Sequence, residues 1–462
     1  MKSTSKNFIY NAIYQIFIYL IPLVTVPYIS RVLGVNNIGI YSYTYSIVSY
    51  FMLASMLGIN NYGAREIAKL SNDKERMSRK FFSIYFLQLT INFLMIIVYF
   101  IVVYYGKFDN KTIMLVQGIY LISCGLDINW FFFGLEKFKI TISRNFIIKF
   151  LSLILIFLFV KNRNDLWIYT SILSVSTLVS QLYLWIFIRK EIIFVKVKLN
   201  EIFSNFKQCL ILFIPVVSYS IYRIMDKTMI GGIVSATELG YYENAEKIIN
   251  IPLGFVSALG TVMMPHMSKL TNKKFEETIK YSFKLTCFII FPMIIGLFLI
   301  SQNFTQIFFG SEFSKSGIII KYLLPTILFG GITSVIRTNF LIPKSKDRIY
   351  VISTIIGAII NLILNIIFIP IYGAVGACIG TIVTEFVIMI YQILCTKNDI
   401  NYIILFKSSL VFLIKSLIIG FVIVLIGLFV KNNVYKLILQ SLISVIIYFV
   451  LNLNYIKNEF LK

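Results

Sequence analysis

Long apolar runs, interrupted by short polar or basic turns, dominate the pattern of the chain. Each run is roughly 20 residues long, which matches the hydrocarbon thickness of a bilayer. Lipid-exposed backbone must be helical or belong to a closed barrel, and these runs are too long and continuous for barrel strands. The pattern therefore predicts an all-α polytopic membrane protein with fourteen transmembrane spans at about 8–30, 41–60, 82–104, 112–133, 141–160, 167–188, 208–230, 246–265, 281–302, 319–341, 350–369, 374–395, 409–430 and 434–454.

In two places no charged residue separates neighbouring spans. The break between spans 1 and 2 is placed at Gly34 and Gly39, and the break between spans 11 and 12 at Pro370 with Gly373. Glycine and proline are the strongest interruptions of helical pattern, so they are the natural places for the chain to turn.

Composition and charge agree with a membrane location. The chain is 58% hydrophobic and 14% charged, its mean hydropathy is +0.85 and its net charge is +23. The basic residues lie mostly between spans, so they indicate topology and not a nucleic-acid partner. With the N-terminus inside, the cytoplasmic segments hold 27 Lys and Arg and the outer turns hold 9, which predicts cytoplasmic N- and C-termini. Trp130, Trp167 and Trp185 lie near span ends, as expected of rings at the membrane interface.

A short internal repeat gives the predicted domain organisation. The stretch 27–45 (PYISRVLGVNNIGIYSYTY) has a second version at 221–247 (IYRIMDKTMIGGIVSATELGYYENAEK). The two lie at the outer ends of spans 1 and 7, and an even number of crossings restores the orientation, so they indicate parallel repeats. The sequence predicts an N-terminal six-helix lobe at 1–200, a C-terminal six-helix lobe at 201–400 and two additional helices at 401–462, with a substrate path between the lobes.

Motifs for catalysis, nucleotide binding and metal binding are missing from the sequence. It contains no GxxxxGK[ST], HExxH or GxSxG pattern. The five cysteines are scattered without a CxxC, and His266 has no metal-ligand neighbour at helical spacing. We therefore predict no enzyme activity, no cofactor, no metal and no catalytic residue. Energy for any transport would come from a gradient, the membrane potential or the fate of the substrate.

Ionisable side chains inside the spans are the candidate functional residues. Each costs about 2.5–3.5 kcal/mol at a helix centre. They are mostly basic: Asp127, Lys149, Arg223, Asp226, Lys227, Lys284, Lys321, Arg337, Glu385 and Lys415. Lys284, Lys321 and Lys415 lie within a turn or two of an interface, and we interpret them as snorkelling to the headgroups.

Arg223, Asp226 and Lys227 stand on one face of span 7, because they are spaced by three and four residues. Two interpretations remain open. The three form a structural ion pair that steadies the helix, or they form an anion-recruiting wall of a cavity. Arg31, at the outer end of span 1, also has two possible roles: its side chain contacts the lipid headgroups, or it lines the cavity.

The two other in-span acids are candidates for ion or proton coupling. Glu385 lies nearest the middle of its span, where it is either a partner for a basic residue or a protonatable relay. Asp127 lies toward the inner end of span 4, and pairing with Lys149 or Arg144 is its structural alternative.

Four stretches, in order along the chain, resemble the bacterial polysaccharide-repeat flippases of the Wzx type. They are PYISRVLGVNNIGIYSYTYSIVSYF (27–51), GLDINWFFFGLEKFK (125–139), MDKTMIGGIVSATELGYYENAEKI (225–248) and YGAVGACIGTIVTE (372–385). That family belongs to the superfamily that also holds MATE multidrug extruders and the lipid II flippase MurJ. The resemblance covers essentially the whole chain.

The resemblance implies a function and a site. It implies alternating-access transport of an undecaprenyl-pyrophosphate-linked oligosaccharide from the inner to the outer leaflet of the bacterial cytoplasmic membrane, for capsule, exopolysaccharide or O-antigen-like surface polysaccharide. A cationic cavity is expected for the pyrophosphate and for acidic sugars, and Arg31, Arg223, Lys227 and Arg337 are the positions that can supply it, with Asp226 beside them. The expected partners are the lipid-linked substrate, membrane lipid, and the polymerase and glycosyltransferases of the same pathway.

Two rival functions are possible for a chain of this kind. A drug or small-molecule exporter has the same fold, but cation-exporting MATE proteins commonly use acidic residues inside their spans, and in-span charge here is mostly basic. A membrane-embedded polysaccharide polymerase would need a catalytic surface outside the bilayer, and the outer turns are short and carry no acid–base cluster.

Overall fold

The long apolar runs are helical, because backbone N–H and C=O groups at membrane depth find hydrogen-bond partners most readily inside a helix. The structure is a computed structural model that describes residues 2–267, 270 and 272–460. Within that part the helices are α1 (Lys2–Met56), α2 (Ile59–Leu70), α3 (Lys74–Tyr105), α4 (Lys111–Gly125), α5 (Asn129–Gly134), α6 (Phe138–Phe159), α7 (Leu166–Ile188), α8 (Leu199–Phe203), α9 (Phe206–Met229), α10 (Ala236–Met267), α11 (Asn272–Phe308), α12 (Ser314–Ile336), α13 (Asp347–Tyr372), α14 (Ala374–Thr396), α15 (Tyr402–Phe429), α16 (Asn433–Leu451) and α17 (Leu453–Phe460). Short 3-10 turns at Arg163–Asp165 and Ser311–Phe313 and π-helical turns at Ile230–Val234 and Arg337–Leu341 connect or extend them.

Ten helical segments of the described residues are long and apolar enough to cross a membrane: Lys74–Tyr105, Lys111–Gly134, Phe138–Phe159, Arg163–Ile188, Lys274–Phe308, Ser311–Leu341, Asp347–Tyr372, Ala374–Thr396, Tyr402–Phe429 and Asn433–Leu451. The other four predicted spans fall in α1, α9 and α10. The prediction of an all-α polytopic membrane protein is confirmed, and the count of fourteen crossings is consistent with this helix order.

Glycine makes both of the breaks that lack a charged residue. Helix α1 contains predicted spans 1 and 2, and within it Gly34 has a φ of 77° and a ψ of 171°, outside the helical region. A side chain would oppose that φ, whereas glycine adopts it freely. Gly39 lies within regular helix, so Gly34 alone forms this break. Between α13 and α14, Gly373 has a φ of 60°, and Pro370 lies inside the last turn of α13.

The chain divides into two compact units, residues 1–239 and 240–462. The predicted lobe boundaries, 1–200 and 201–400, stay a prediction.

The core of the first unit is centred on Trp130. Its ring is 0% exposed, stacks on Phe81 with ring centroids 5.4 Å apart, and donates a 3.0 Å hydrogen bond from Nε1 to Gln88 Oε1. The interpretation of Trp130 as an interface residue is therefore wrong. The ring is covered by α2, where a Cβ on Gly63 would come within 2.4 Å of it. Only glycine lets the two helices approach this closely.

Short amphipathic α2 also approaches α9. Gly58, the residue before α2, has a φ of 72°, and a Cβ there would lie 2.6 Å from the carbonyl oxygen of Cys209. The left-handed conformation and the close approach both require glycine. This contact joins the short helix after span 2 to the beginning of α9.

In the second unit, α11 packs against α12, α15 and α16. Tyr448 of α16 donates a 2.7 Å hydrogen bond to the carbonyl oxygen of Phe288, and a Cβ on Gly420 of α15 would lie 2.8 Å from the side chain of Ile295. Helices α13 and α14 pack closely on each other, and α14 also packs on α12. The two helices that the sequence set outside the repeat thus lie against the α11 side of their unit.

Candidate functional site

Arg223, Asp226 and Lys227 lie in the last two turns of α9, in the first unit. Asp226 is 2% exposed, whereas Arg223 and Lys227 are half-buried. All three are engaged by neighbouring groups. Both interpretations of this helix face, a structural ion pair and an anion-recruiting wall, remain open.

A π-helical turn follows these charges at Ile230–Val234. Thr228, which directly follows Lys227, is hydrogen-bonded through its Oγ1 to Ser46 Oγ (2.9 Å) and to Tyr50 OH (3.4 Å). These bonds fix the end of α9 against α1. The π-turn continues this contact, since a Cβ on Gly231 would lie 2.4 Å from the ring of Tyr43. Such turns occur frequently at functional sites, because they widen the helix and redirect side chains.

Arg31 lies on α1 just before the Gly34 break, and its side chain is exposed. The surrounding segment of α1 is held on the connection between α6 and α7. Tyr28 OH donates to the carbonyl oxygen of Val160 and Asn37 Nδ2 to that of Arg163, each over 2.7 Å. Arg31 therefore stands at the end of the unit that carries the α6–α7 turn.

Arg337 lies at the start of the second π-helical turn, at the end of α12. Its guanidinium stands over the ring of Tyr350, 5.5 Å from the centroid. Its Nε is buried, and within the described residues it has no hydrogen-bond partner; the same holds for Thr333 Oγ1 and Ser334 Oγ one turn earlier. Spacings of three and four place these donors on one helix face. Buried polar atoms are nearly always hydrogen-bonded, so this cluster is suited to accept an oxygen-rich group.

Glu385 is 8% exposed and lies on α14, where that helix packs against α12. A Cβ on Gly330 of α12 would lie 3.6 Å from Glu385 Oε2, so the glycine leaves room for the carboxyl group. Gly330 is one turn before Thr333 and Ser334 on the same helix. Glu385 is engaged by a neighbouring group, and the choice between ion-pair partner and relay remains open.

Asp127 is connected to Arg144 through an asparagine. Asp127 Oδ1 accepts hydrogen bonds from the backbone N (2.9 Å) and Nδ2 (2.6 Å) of Asn129, and Asn129 Oδ1 accepts a 2.9 Å bond from Arg144 Nη2. Arg144 is 3% exposed and also donates to Asn145 Oδ1 (2.7 Å) and Gln181 Oε1 (3.4 Å). Of the two partners weighed for Asp127, the structure brings Arg144 to it.

A cavity opens beside this network in the first unit. Its volume is about 480 Å³, and residues of α1, α5, α6 and α7 form its walls. The lining is mainly apolar and also carries polar side chains, including Thr25, Asn145, Lys149, Ser152, Ser176, Thr177 and Gln181. The sequence indicates Lys149 as an ionisable residue within a span and as one possible partner for Asp127. The signal that could have revealed the cavity is the set of Ser, Thr and Gln on α7 at helical spacing, together with a lysine in the middle of the preceding span.

Comparison with known proteins places the chain in a family. A model of the family described as polysaccharide biosynthesis proteins matches residues 4–271, which is more than half of the chain. The chain belongs to this family. A proposed O-antigen transporter of Shigella dysenteriae is 24% identical over 388 residues, which cover 82% of this chain and 96% of that protein.

Solved structures share the fold over nearly the whole chain. A lipid II flippase MurJ in an inward closed conformation has a TM-score of 0.75 at 20% identity, with 97% of this chain and 98% of that chain covered. An inward-facing multidrug resistance MATE family transporter of the MOP superfamily has a TM-score of 0.60 at 16% identity, with 86% and 99% covered. The predicted resemblance is confirmed at the level of the polysaccharide biosynthesis family, and the predicted MATE/MurJ-like fold is confirmed by these structures.

Proposed function

We propose that this protein is a flippase that moves a lipid-linked oligosaccharide across the bacterial cytoplasmic membrane for surface polysaccharide synthesis. Family membership, the similarity to an O-antigen transporter and the fold shared with a lipid II flippase support a transporter of this class. The observation that carries the proposal is the cluster at the end of α12. Arg337 Nε, Thr333 Oγ1 and Ser334 Oγ are buried donors that the described residues leave unsatisfied, and the oxygens of an anionic headgroup would satisfy them.

The substrate we propose is an undecaprenyl-pyrophosphate-linked repeat unit, moved from the inner to the outer leaflet by alternating access. The positions we propose for binding its pyrophosphate are Arg337 in the second unit and, in the first unit, Arg31, Arg223 and Lys227, with Asp226 orienting the two basic residues on α9. An inside-negative potential would assist export, since two negative charges moving outward release roughly 5 kcal/mol per 100 mV. Glu385 and Asp127 are the proposed sites for any coupling ion or proton.

We also propose that both termini lie in the cytoplasm. The proposed partners are the polymerase and the glycosyltransferases of the same pathway. The basic residues support the orientation, because the segments on the side of the termini hold 27 Lys and Arg against 9 on the other side. Under this orientation Arg337 lies toward the inner leaflet, where the substrate would enter, and Arg31 toward the outer leaflet.

The decisive experiment measures flipping in proteoliposomes that carry a fluorescent polyprenyl-diphosphate oligosaccharide. Arg337→Gln should slow flipping about tenfold or more, because one charge-assisted interaction with the diphosphate is lost. Lys321→Gln is the matched control. It lies on the same helix, its ammonium also stands over an aromatic ring (Phe298, 5.4 Å), and its loss should leave the rate within about twofold. Absence of flipping by the unaltered protein would refute the function.

A second experiment addresses the face of α9. Flipping should fall when Arg223 and Lys227 are both replaced by Gln in folded, membrane-inserted protein. Unchanged flipping would make these residues structural. Repeating the assay with and without an imposed potential, at fixed pH and sodium, tests the driving force, and equal rates would exclude the potential.

Export of a drug or another small molecule is the second candidate, favoured by the fold shared with a MATE transporter. Resistance to cationic dyes on overexpression, without any effect on surface polysaccharide, would support it. The predominance of basic residues within the spans favours an anionic substrate instead.

A further inference from the structure

The connection between α7 and α9, residues 189–205, exposes large apolar side chains although it lies outside the membrane helices. Phe194 is 76% exposed, Leu199 71% and Phe203 55%, and Ile193 is also exposed. A cluster of exposed apolar side chains marks a surface that a partner or a membrane covers, because contact with water is unfavourable for it. The α7–α9 connection therefore carries an interaction surface.

This surface is held in place by the first turns of α3. The backbone N–H of Ile193 donates a 3.0 Å hydrogen bond to Ser78 Oγ, and Lys74 Nζ donates a 3.2 Å bond to the carbonyl oxygen of Lys190. Both bonds tie the connection to a helix that is long and apolar enough to cross a membrane. The exposed apolar side chains thus have a defined position beside a membrane span.

Phe194 continues the lipid-facing surface of that span. Its ring packs edge-on against Phe82, with centroids 5.4 Å apart, and Phe82 stacks on Phe86 over 6.0 Å. Phe86 begins a series of exposed apolar side chains along α3, which are Phe86, Phe93, Leu94, Ile97, Val98, Phe100 and Ile101. In a membrane these side chains contact lipid. Phe194 therefore lies where the lipid-facing surface of α3 meets the membrane boundary.

The same connection is basic. It holds four basic residues and two acidic ones, and the basic residues are Arg189, Lys190, Lys196 and Lys198. The acids are already engaged, Glu191 with Lys137 and Glu201 with Arg79. Lys196 is exposed, and within the described part of the chain no carboxylate lies within ion-pair distance of its ammonium. Lysines placed among exposed aromatic and aliphatic side chains are typical of protein segments that lie in the membrane interface.

We propose that the α7–α9 connection is an interfacial element that binds the anionic phospholipid surface of the membrane. Phe194, Leu199 and Phe203 lie at the boundary between headgroups and acyl chains. Lys196 and Lys198 contact the lipid phosphates. Under the proposed orientation this is the cytoplasmic leaflet, whose surface potential is negative. The inference concerns the surrounding lipid and not a transported substrate, so it stands or falls independently of the proposed function.

Quenching of an added tryptophan by brominated lipids tests the contact with the membrane, in the full chain reconstituted into vesicles. Trp167, which is 55% exposed, is first replaced by Phe, and Phe194→Trp is added to that background. The emission gained over the background reports on position 194. Brominated phosphatidylcholine should quench this emission strongly. Phe203→Trp is a second probe of the same surface.

The matched control for position is Asn72→Trp in the same background. Asn72 is an exposed polar residue in the turn between α2 and α3, so a tryptophan there should face water and be quenched only weakly. If positions 194 and 203 are quenched no more than position 72, the surface faces water and is open to a soluble partner, which overturns the proposal. Thermal unfolding of each variant confirms that it is folded.

The choice of lipid tests the charge. From the quenching at position 194, brominated phosphatidylglycerol should bind about fivefold or more tightly than brominated phosphatidylcholine, because each lysine near an anionic surface strengthens binding about fivefold. Lys196→Gln with Lys198→Gln should remove this preference. Lys107→Gln with Lys431→Gln, which removes two exposed lysines from other turns, should leave it unchanged. Equal binding of both lipids, or a preference that survives the loss of Lys196 and Lys198, would overturn the proposal.

Discussion

Replacing Arg144 by Gln should expose the role of Asp127. The Arg144 side chain is 3% exposed and joins α6 to Asn129 and to Gln181 of α7. Its charge also stabilises the Asp127 carboxylate electrostatically. The substitution therefore removes several hydrogen bonds and leaves a carboxylate without its compensating cation.

The loss of charge compensation should dominate the effect. Removing one partner of a buried ion pair costs about 3–5 kcal/mol. A neutral hydrogen bond between membrane helices contributes only about 0.6 kcal/mol on average. Asp127 is half-buried and reaches Arg144 through Asn129, so we place the total near the lower end, at about 3 kcal/mol. Neutralising the acid as well, in Asp127→Asn with Arg144→Gln, should restore about 1–2 kcal/mol of that loss.

Reversible unfolding in detergent micelles, followed by tryptophan fluorescence, measures these differences for the two single variants and the double variant. A double variant no more stable than Arg144→Gln alone would refute the electrostatic explanation. The same proteins in the flipping assay address the coupling hypothesis. Normal transport by Asp127→Asn would assign Asp127 a structural role, whereas loss of transport without loss of stability would support coupling.

Three further predictions concern packing and capping. Gln88→Leu should lower the free energy of unfolding by about 2–4 kcal/mol, because the Gln88 amide donates to two backbone carbonyls at the end of α4 and accepts from Trp130 Nε1. A double-mutant cycle with Trp130→Phe should show that the two losses of stability are not additive. Additive losses would contradict this coupling. Gly63→Ala should cost about 1–3 kcal/mol in thermal unfolding, since its Cβ would lie 2.4 Å from the buried Trp130 ring. Gly296→Ala, with open space around it inside α11, should be neutral or stabilise the protein by up to about 1 kcal/mol. The pKa of Glu201 is lowered because its carboxylate accepts a hydrogen bond from the backbone N–H of the residue before α8 and another from a nearby arginine. The stabilising cap should therefore be present above the ordinary glutamate pKa and be lost as pH falls through the lowered pKa. Amide exchange in α8 that does not change across that pH range, or that is the same in Glu201→Gln, would contradict the cap.

Several features of the fold were predictable because they depend on local composition. The apolar runs predicted the membrane helices, and glycine predicted both uncharged breaks, at Gly34 and Gly373. Where the prediction of position was wrong, packing was the reason. Trp130 stands at the end of a span, where an interface ring is expected, yet α2 and α3 cover it completely and its indole N–H is bound by Gln88.

The candidate site shows the same division. The basic character of the site can be predicted from the sequence, because a charged residue inside an apolar run is recognisable from its neighbours alone. The partner of each charge cannot be predicted in this way. From the sequence, both Lys149 and Arg144 are possible partners for Asp127. The packing of α5, α6 and α7 brings Arg144 close to Asp127 through Asn129, whereas Lys149 lines the cavity.

Residue type and order alone define the class of molecule: a multi-pass helical membrane protein, basic within its spans, with motifs that resemble those of polysaccharide-repeat flippases. These properties follow from residue type and order, since the bilayer selects for apolar length and penalises charge wherever it occurs. Helix packing sets which polar groups find hydrogen-bond partners. Arg337 Nε keeps no hydrogen-bond partner among the described residues, and Lys149 lines a cavity in which hydroxyl and amide groups stand among apolar side chains. The reason is that the rotation of each helix against its neighbours sets which face is buried.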